Sequence, residues 1–117
     1  MTDITIVLKD LGIKGNIQGF YHLRTAIKLT MFNFDMVHHM CKSLYPTVAR
    51  THETTPSRVE RAMRHAIRVS WDNADRTLRT RIFGNSNEVP CNGDYIASVA
   101  DYLLNKENEK ERNGNNV

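Results

Sequence analysis

Six polar side chains recur at helical spacing between residues 58 and 68, and five of the six are arginine or histidine. They are Arg58, Glu60, Arg61, Arg64, His65 and Arg68. At about 100° per residue they share one half of a helix, while apolar side chains occupy the other half. A solvated helix face usually mixes both charge signs, because opposite charges four residues apart stabilise the helix. A face with a single acid favours an anionic partner over a merely solubilising role.

Positive charge is concentrated around this segment. The chain has a net charge of +3, but residues 54–81 alone hold seven arginines and three acids. Residues 82–105 hold three acids and no lysine or arginine. The planar fork of arginine matches phosphate groups and guanine edges better than lysine does. Nucleic acid is therefore the anionic partner that the charge pattern favours.

The leading end of this helix holds the candidate base-reading residues. Arg58 and Arg61 each offer paired donors to guanine O6 and N7, and Glu60 can accept from cytosine N4. A glutamate near phosphates is costly without a donor, so Glu60 favours base reading over general charge attraction. Two other roles for Glu60 stay open, a capping box with Ser57 and an ion pair with Arg64.

Contacts to the DNA backbone are expected around and beyond these three residues. Arg64, His65 and Arg68 lie farther along the helix, where phosphates or water are the expected partners, although ion pairs with Asp72 or Asp75 would compete. The complete set of expected backbone contacts is Thr54, Ser57, Arg64, His65 and Arg68.

Apolar periodicity predicts an all-α domain of six helices. The predicted helices cover residues 4–11, 21–31, 36–45, 56–71, 74–83 and 94–104. Thr2 or Asp3 is the expected cap of the first helix and Asp35 that of the third. The β-branched run at 4–7 leaves an edge strand as an alternative. Pro46 either kinks the third helix or starts a short helix through residue 50.

The spacing around residue 50 predicts a helix-turn-helix whose second helix is the arginine-faced one. Ala49 and Val59 lie ten positions apart, as a small and a β-branched residue do where two steeply crossing helices pack. Many such motifs place glycine four residues after the alanine, whereas this chain has Glu53, which predicts a longer or differently bent turn. Thr55 followed by Pro56 marks a helix start. The arginine face is what a helix that enters a major groove must present.

Length and composition predict one helical domain over residues 1–105 and a disordered polar tail over 106–117. The start of the chain lacks the features of a signal peptide, and no run is long enough for a membrane span. We expect a cytoplasmic protein without a membrane partner.

No catalytic site is expected, because the chain has no HExxH, GxSxG or P-loop pattern. Cys41 and Cys91 are too far apart for a CxxC clip, so no metal and no cofactor are expected. An RNA-binding role lacks an aromatic platform. A helical interaction module that binds an acidic partner such as RNA polymerase remains the alternative function, with residues 72–83 as the candidate surface.

The run LYPTVARTHETTPSRVERAMRHAIRVSW, Leu44 to Trp71, resembles the signature of the C-terminal effector domain of the Spo0A family of sporulation response regulators. DLGIKGNIQGFYHLRTAI at 10–27 is similar to the early helices of that family, and YIASVADYLL at 95–104 is similar to its last helix. The resemblance covers about residues 4–104. The sequence departs from the family pattern at Pro56 and in a short loop at 84–93, and it contains no receiver domain.

The resemblance implies a six-helix domain with a central helix-turn-helix. It also implies sequence-specific binding to promoter boxes resembling TGTCGAA, two copies in tandem on adjacent boxes, and recruitment of RNA polymerase. Base contacts in the family come from the arginine, glutamate and arginine of SRVER, which are Arg58, Glu60 and Arg61 here.

Overall fold

The computed structural model describes the backbone of residues 3–115 and the side chains of residues 3–109. Six α-helices and no strand lie within these bounds, which confirms the predicted all-α fold. The helices are α1 (Ile4–Asp10), α2 (Gln18–Phe32), α3 (Tyr45–Thr51), α4 (Pro56–Asn73), α5 (Arg76–Phe83) and α6 (Asn92–Asn115). A 3-10 turn (Phe34–His38) and a π-helical turn (Met40–Leu44) connect α2 to α3.

The β-branched start of the chain is helical, so the alternative of an edge strand is wrong. The Asp3 carboxylate accepts a hydrogen bond from the Thr5 amide at 2.9 Å and thereby caps α1. Val7 and Leu8 are buried on one side of the short helix. Burial of that apolar face against α2 outweighs the local β preference. Thr2, the other predicted cap, lies outside the described residues.

The core lies where α2, α4 and α6 pack together. The predicted inner face of α2 is confirmed, since Leu23, Ala26, Ile27 and Thr30 are all buried. The buried Thr30 hydroxyl donates to the Ala26 carbonyl at 2.8 Å, so its polar group is satisfied within the helix. The predicted inner face of α6 is also buried, and it consists of Ile96, Val99, Ala100 and Leu103.

Gly19 sets how closely α2 approaches α4. A β-carbon built on Gly19 would collide with the carbonyl of Ala62 and would lie 2.7 Å from the β-carbon of Ala66. Only glycine lets the two backbones meet at this distance. The start of α2 is thereby fixed against the middle of α4.

The third predicted helix, residues 36–45, is not a single helix. Asp35 does not cap it; the Asn33 side chain accepts from the Asp35 amide at 3.2 Å and caps the 3-10 turn instead. His39 then leaves the helical region with φ −132° and ψ 53°. Pro46 is the second residue of α3, which follows the π-helical turn directly. Of the two predicted roles of Pro46, the start of a short helix is the correct one.

The C-terminal helix is longer than predicted. It continues through Asn115, whereas residues from 106 onward were expected to be disordered. A helix that its packed face has already nucleated extends at one backbone bond per added residue, and the charged residues after Leu104 are good helix formers. Residues 116 and 117 of the expected tail lie outside the described residues.

A buried hydrogen bond attaches α6 to α4, and local contacts define the ends of α5. The Tyr95 hydroxyl of α6 lies 2.7 Å from the Ser70 hydroxyl of α4, and both side chains are buried. Asp75 caps α5 by accepting from the Leu78 amide at 3.2 Å, and Gly84 ends α5 with φ +80°.

Within residues 3–115, no helix combines the length and apolar character needed to cross a bilayer.

Candidate nucleic-acid interface

The start of α4 is fixed by a side-chain cap and a proline. The Thr55 hydroxyl accepts from the Arg58 amide at 3.3 Å, and Pro56 is the first residue of the helix. Ser57 therefore lies inside the first turn and does not cap, so the capping box with Glu60 is not formed. The helix that carries the candidate residues begins where Thr55 and Pro56 predict.

The two faces of α4 are those that the sequence predicts. Val59, Met63, Ala66 and Ile67 are buried in the core. The arginine and histidine side chains of the opposite face are all exposed, namely Arg58, Arg61, Arg64, His65 and Arg68. The protein thus presents a basic strip along one helix. The buried opposite face prevents rotation of the helix about its axis.

The three candidate base-reading residues lie together at the outer, leading end of α4. Arg58 and Arg61 are exposed, and neither forms an ion pair with any side chain that the structure describes. Glu60 retains 38% side-chain exposure, and its Oε1 lies 3.2 Å from Nε of Arg64. Both arginines are therefore free to meet a ligand, while Glu60 already has a partner.

The Glu60–Arg64 pair confirms one of the roles left open for Glu60. A second contact of 3.4 Å joins Nη2 of Arg64 to Oε2, so the pair is two-pronged. An exposed intrahelical pair contributes only about 0.3–0.5 kcal/mol. Such a pair can exchange for a DNA contact at small cost. The expected ion pairs to Asp72 or Asp75 are not formed within residues 3–109.

The turn before α4 is the short turn of a helix-turn-helix. Ala49 and Val59 are both buried in the common core. Glu53 adopts the left-handed conformation with φ +54°, and the Thr54 amide donates to the Ala49 carbonyl at 2.9 Å. This is the helix-ending arrangement that glycine usually provides. The prediction of a longer or differently bent turn was wrong, because Glu53 takes up the strained conformation itself.

The remaining expected backbone contacts flank this leading end. Thr54 lies in the turn and is half-buried, whereas Ser57 is exposed in the first turn of α4. His65 and Arg68 follow on the exposed face, one and two turns farther on. All of the predicted site residues therefore lie on α4 or on the turn that precedes it.

Two supporting side chains escaped the sequence prediction of the site. The Asn92 side chain, at the start of α6, donates from Nδ2 to the Tyr45 hydroxyl at 3.0 Å and to the Glu60 carbonyl at 3.2 Å. Burial raises the pKa of the Tyr45 phenol, and the bond from Asn92 acts in the opposite direction. Asn92 is 47 positions from Tyr45 and 32 positions from Glu60 in the sequence, so no local pattern could reveal these contacts.

α5 carries three further arginines, Arg76, Arg79 and Arg81. Arg76 and Arg81 are exposed, whereas Arg79 donates to the Trp71 carbonyl at 2.9 Å and lies over the Trp71 ring at 4.8 Å. Arg79 therefore attaches α5 to the end of α4. No cluster of three metal-ligating side chains occurs in the part of the chain that the structure describes.

A helix pair with a tight turn, whose second helix is buried on one side and arginine-rich on the other, defines a helix-turn-helix DNA-binding domain. The sequence model of the family described as "Sporulation initiation factor Spo0A C terminal" matches residues 4–103. The chain belongs to this family of DNA-binding regulatory domains of sporulation transcription factors.

Proposed function

We propose that α4 is the recognition helix and lies in the major groove of promoter boxes resembling TGTCGAA. The observation that carries this proposal is the pair of exposed, unpaired side chains Arg58 and Arg61 on the capped leading end of α4. An arginine with a free fork can donate to both O6 and N7 of one guanine. The written strand of the box contains two guanines and one cytosine, which fits two arginines and one glutamate.

Glu60 reads the cytosine in this proposal, and Arg64 is released to a phosphate. The exposed pair between them is weak, so the exchange costs little. Each side chain gains a charge-assisted hydrogen bond on the DNA in place of the one it gives up. Thr54, Ser57, His65 and Arg68 contribute backbone contacts that hold the helix in register but carry no base preference.

A binding titration tests the proposal directly. The full chain is titrated by fluorescence anisotropy against a duplex with one box and against the same duplex with the box scrambled, each at two salt concentrations. We expect at least about a thousandfold preference for the box, as specific binders show. Binding to both duplexes should weaken with salt, with a log–log slope of about −0.9 per phosphate contact. Equal affinity for the two duplexes contradicts the proposal.

We propose two further partners, a second copy of this chain and RNA polymerase. Two copies occupy adjacent boxes in tandem, which a two-box duplex tests by its binding stoichiometry. The exposed arginines of α5, Arg76 and Arg81, suit an acidic surface of RNA polymerase. Alanine at both positions should then leave box binding unchanged and reduce polymerase recruitment in a supershift assay.

A further inference from the structure

Asn92 is a buried polar residue that connects three helices. The residue is 8% exposed. Nδ2 donates both to the Tyr45 hydroxyl of α3 and to the backbone carbonyl of Glu60 in α4, at 3.0 and 3.2 Å. A carbonyl can only accept, so the amide nitrogen must face Glu60 and the orientation of the Asn92 side chain is settled. The first residue of α6 thus holds both helices of the helix-turn-helix.

The bond to Glu60 is not needed for the integrity of α4. Inside an α-helix the carbonyl of Glu60 already accepts the amide four residues later. The bond from Asn92 uses the second lone pair of the oxygen. Its effect is therefore on the placement of α4 relative to α6 and α3, and not on helix formation.

The bond from Asn92 to the Glu60 carbonyl lies on the leading turns of α4, where the candidate base-reading residues are. Gly19 holds α4 at Ala62 and Ala66, in the middle of the helix. Asn92 holds it at Glu60, between Arg58 and Arg61. The apolar packing of Val59 also holds this end, but a directed hydrogen bond restricts the tilt of the leading turns more narrowly than apolar contacts do. Paired hydrogen bonds to base edges demand accurate side-chain placement, whereas phosphate contacts tolerate small shifts.

We propose that Asn92 is a positioning residue that sets the orientation of the leading turns of α4 and thereby the selectivity for the box. This inference depends on the proposed function of α4. It assigns the start of α6, which contacts no base in the proposal, a part in sequence discrimination.

Three variants separate the contributions of the two hydrogen bonds. Asn92→Ala removes both bonds. Asn92→Asp keeps the side-chain volume and can still pair with the Tyr45 hydroxyl, but it has no donor for Glu60. Tyr45→Phe removes only the bond to Tyr45. We expect Asn92→Ala and Asn92→Asp to lower the ratio of box to scrambled affinity roughly tenfold, about the discrimination of one base contact. Tyr45→Phe should keep the ratio within twofold of the wild type.

A second measurement does not depend on DNA. Residual dipolar couplings of backbone amides give the angle between α4 and α6 in each variant, and thermal melting reports whether the variant is folded. The two Asn92 variants should show a changed angle, while Tyr45→Phe should fit the wild-type angle. The proposal is overturned if folded Asn92→Asp keeps the wild-type ratio or the wild-type angle. If the wild type itself shows no box preference, the proposed function fails, and the dipolar couplings alone decide whether Asn92 orients α4.

Discussion

Arg58 and Arg61 differ from Arg64 in their ion pairing in the absence of DNA. Arg64 is held by Glu60, whereas Arg58 and Arg61 have no ion-pair partner among residues 3–109. A free guanidinium at the start of a recognition helix gives up no protein contact when it meets a base. Arg68 is unpaired as well, so Arg58 and Arg61 are distinguished from it by their place on the leading turns of α4, where base reading is proposed.

Replacement of Arg58 by alanine should selectively weaken binding to the box. We expect an affinity loss of about 1–3 kcal/mol on the box duplex and a much smaller loss on the scrambled one, because a paired contact to guanine is removed. Arg68→Ala is the matched control on the same exposed face, and it should weaken both duplexes equally. Anisotropy titrations of both variants measure this difference. Equal losses for Arg58→Ala would contradict its assignment to a base.

Glu60 can be tested through the cytosine that it is proposed to read. In the wild type, replacement of that cytosine should cost about 1–3 kcal/mol of binding free energy. In Glu60→Ala the same base change should cost little, since the acceptor is gone. A double-mutant cycle over protein and DNA measures the coupling. An undiminished base penalty in Glu60→Ala leaves Glu60 with its Arg64 ion pair as its only role.

At the scale of the elements, the turn between α3 and α4 carries local strain. Glu53 has φ +54°, a left-handed conformation that disfavours residues with a β-carbon. Glycine at this position would remove the steric cost, partly offset by its greater freedom in the unfolded chain.

We therefore expect Glu53→Gly to raise the free energy of unfolding by about 0.5–1 kcal/mol. The midpoint of urea unfolding measures the change. Glu53→Ala is the matched control, because it removes the same charge but keeps the β-carbon, and it should give no such gain. A similar gain from alanine would assign the effect to charge instead of backbone conformation.

Local patterns predicted some elements well and others poorly, for a physical reason. The faces of α2, α4 and α6 were correct, because a long buried face imposes a 3.6-residue period on the sequence. The segment at 36–45 failed, since its inward residues also fit the 3-10 and π turns that the structure has. The end of α6 failed as well, because helix extension beyond a packed face leaves no apolar signal.

At the scale of the whole molecule, a buried histidine couples stability to pH. His22 of α2 is 1% exposed, and its Nδ1 has no hydrogen-bond partner among the described residues. Its ring meets the ring of His52, the residue that follows α3, edge to face with centroids 4.8 Å apart. Burial, and secondarily the charge of His52, lowers the pKa of His22 below 6.5. The folded state therefore favours neutral His22.

Stability should fall as the pH drops below about 6.5, the ordinary pKa of histidine. In that range His22 is protonated in the unfolded chain but stays neutral in the folded state. The free energy of unfolding therefore decreases by up to about 1.4 kcal/mol per pH unit. The loss levels off below the lowered pKa of the folded state. Urea unfolding between pH 5 and 7.5 measures this. His22→Leu should flatten the dependence, whereas His65→Gln on the exposed face should not. An unchanged slope in His22→Leu assigns the dependence to other groups.

The sequence by itself determined the helical class, the start of α4, its two faces and the three residues at its leading end. Each of these follows from a pattern within a few turns of chain, where residue type and spacing act directly on the backbone. Only the tertiary structure decided the Glu60–Arg64 pair over the capping box, the left-handed Glu53, and the Asn92 bonds to Tyr45 and Glu60. The Glu60–Arg64 pair and the Glu53 conformation are local, but the sequence left them open because the same residues fit more than one local arrangement. The Asn92 bonds join residues that are 47 and 32 positions apart in the sequence, so they exist only once the fold brings those residues together.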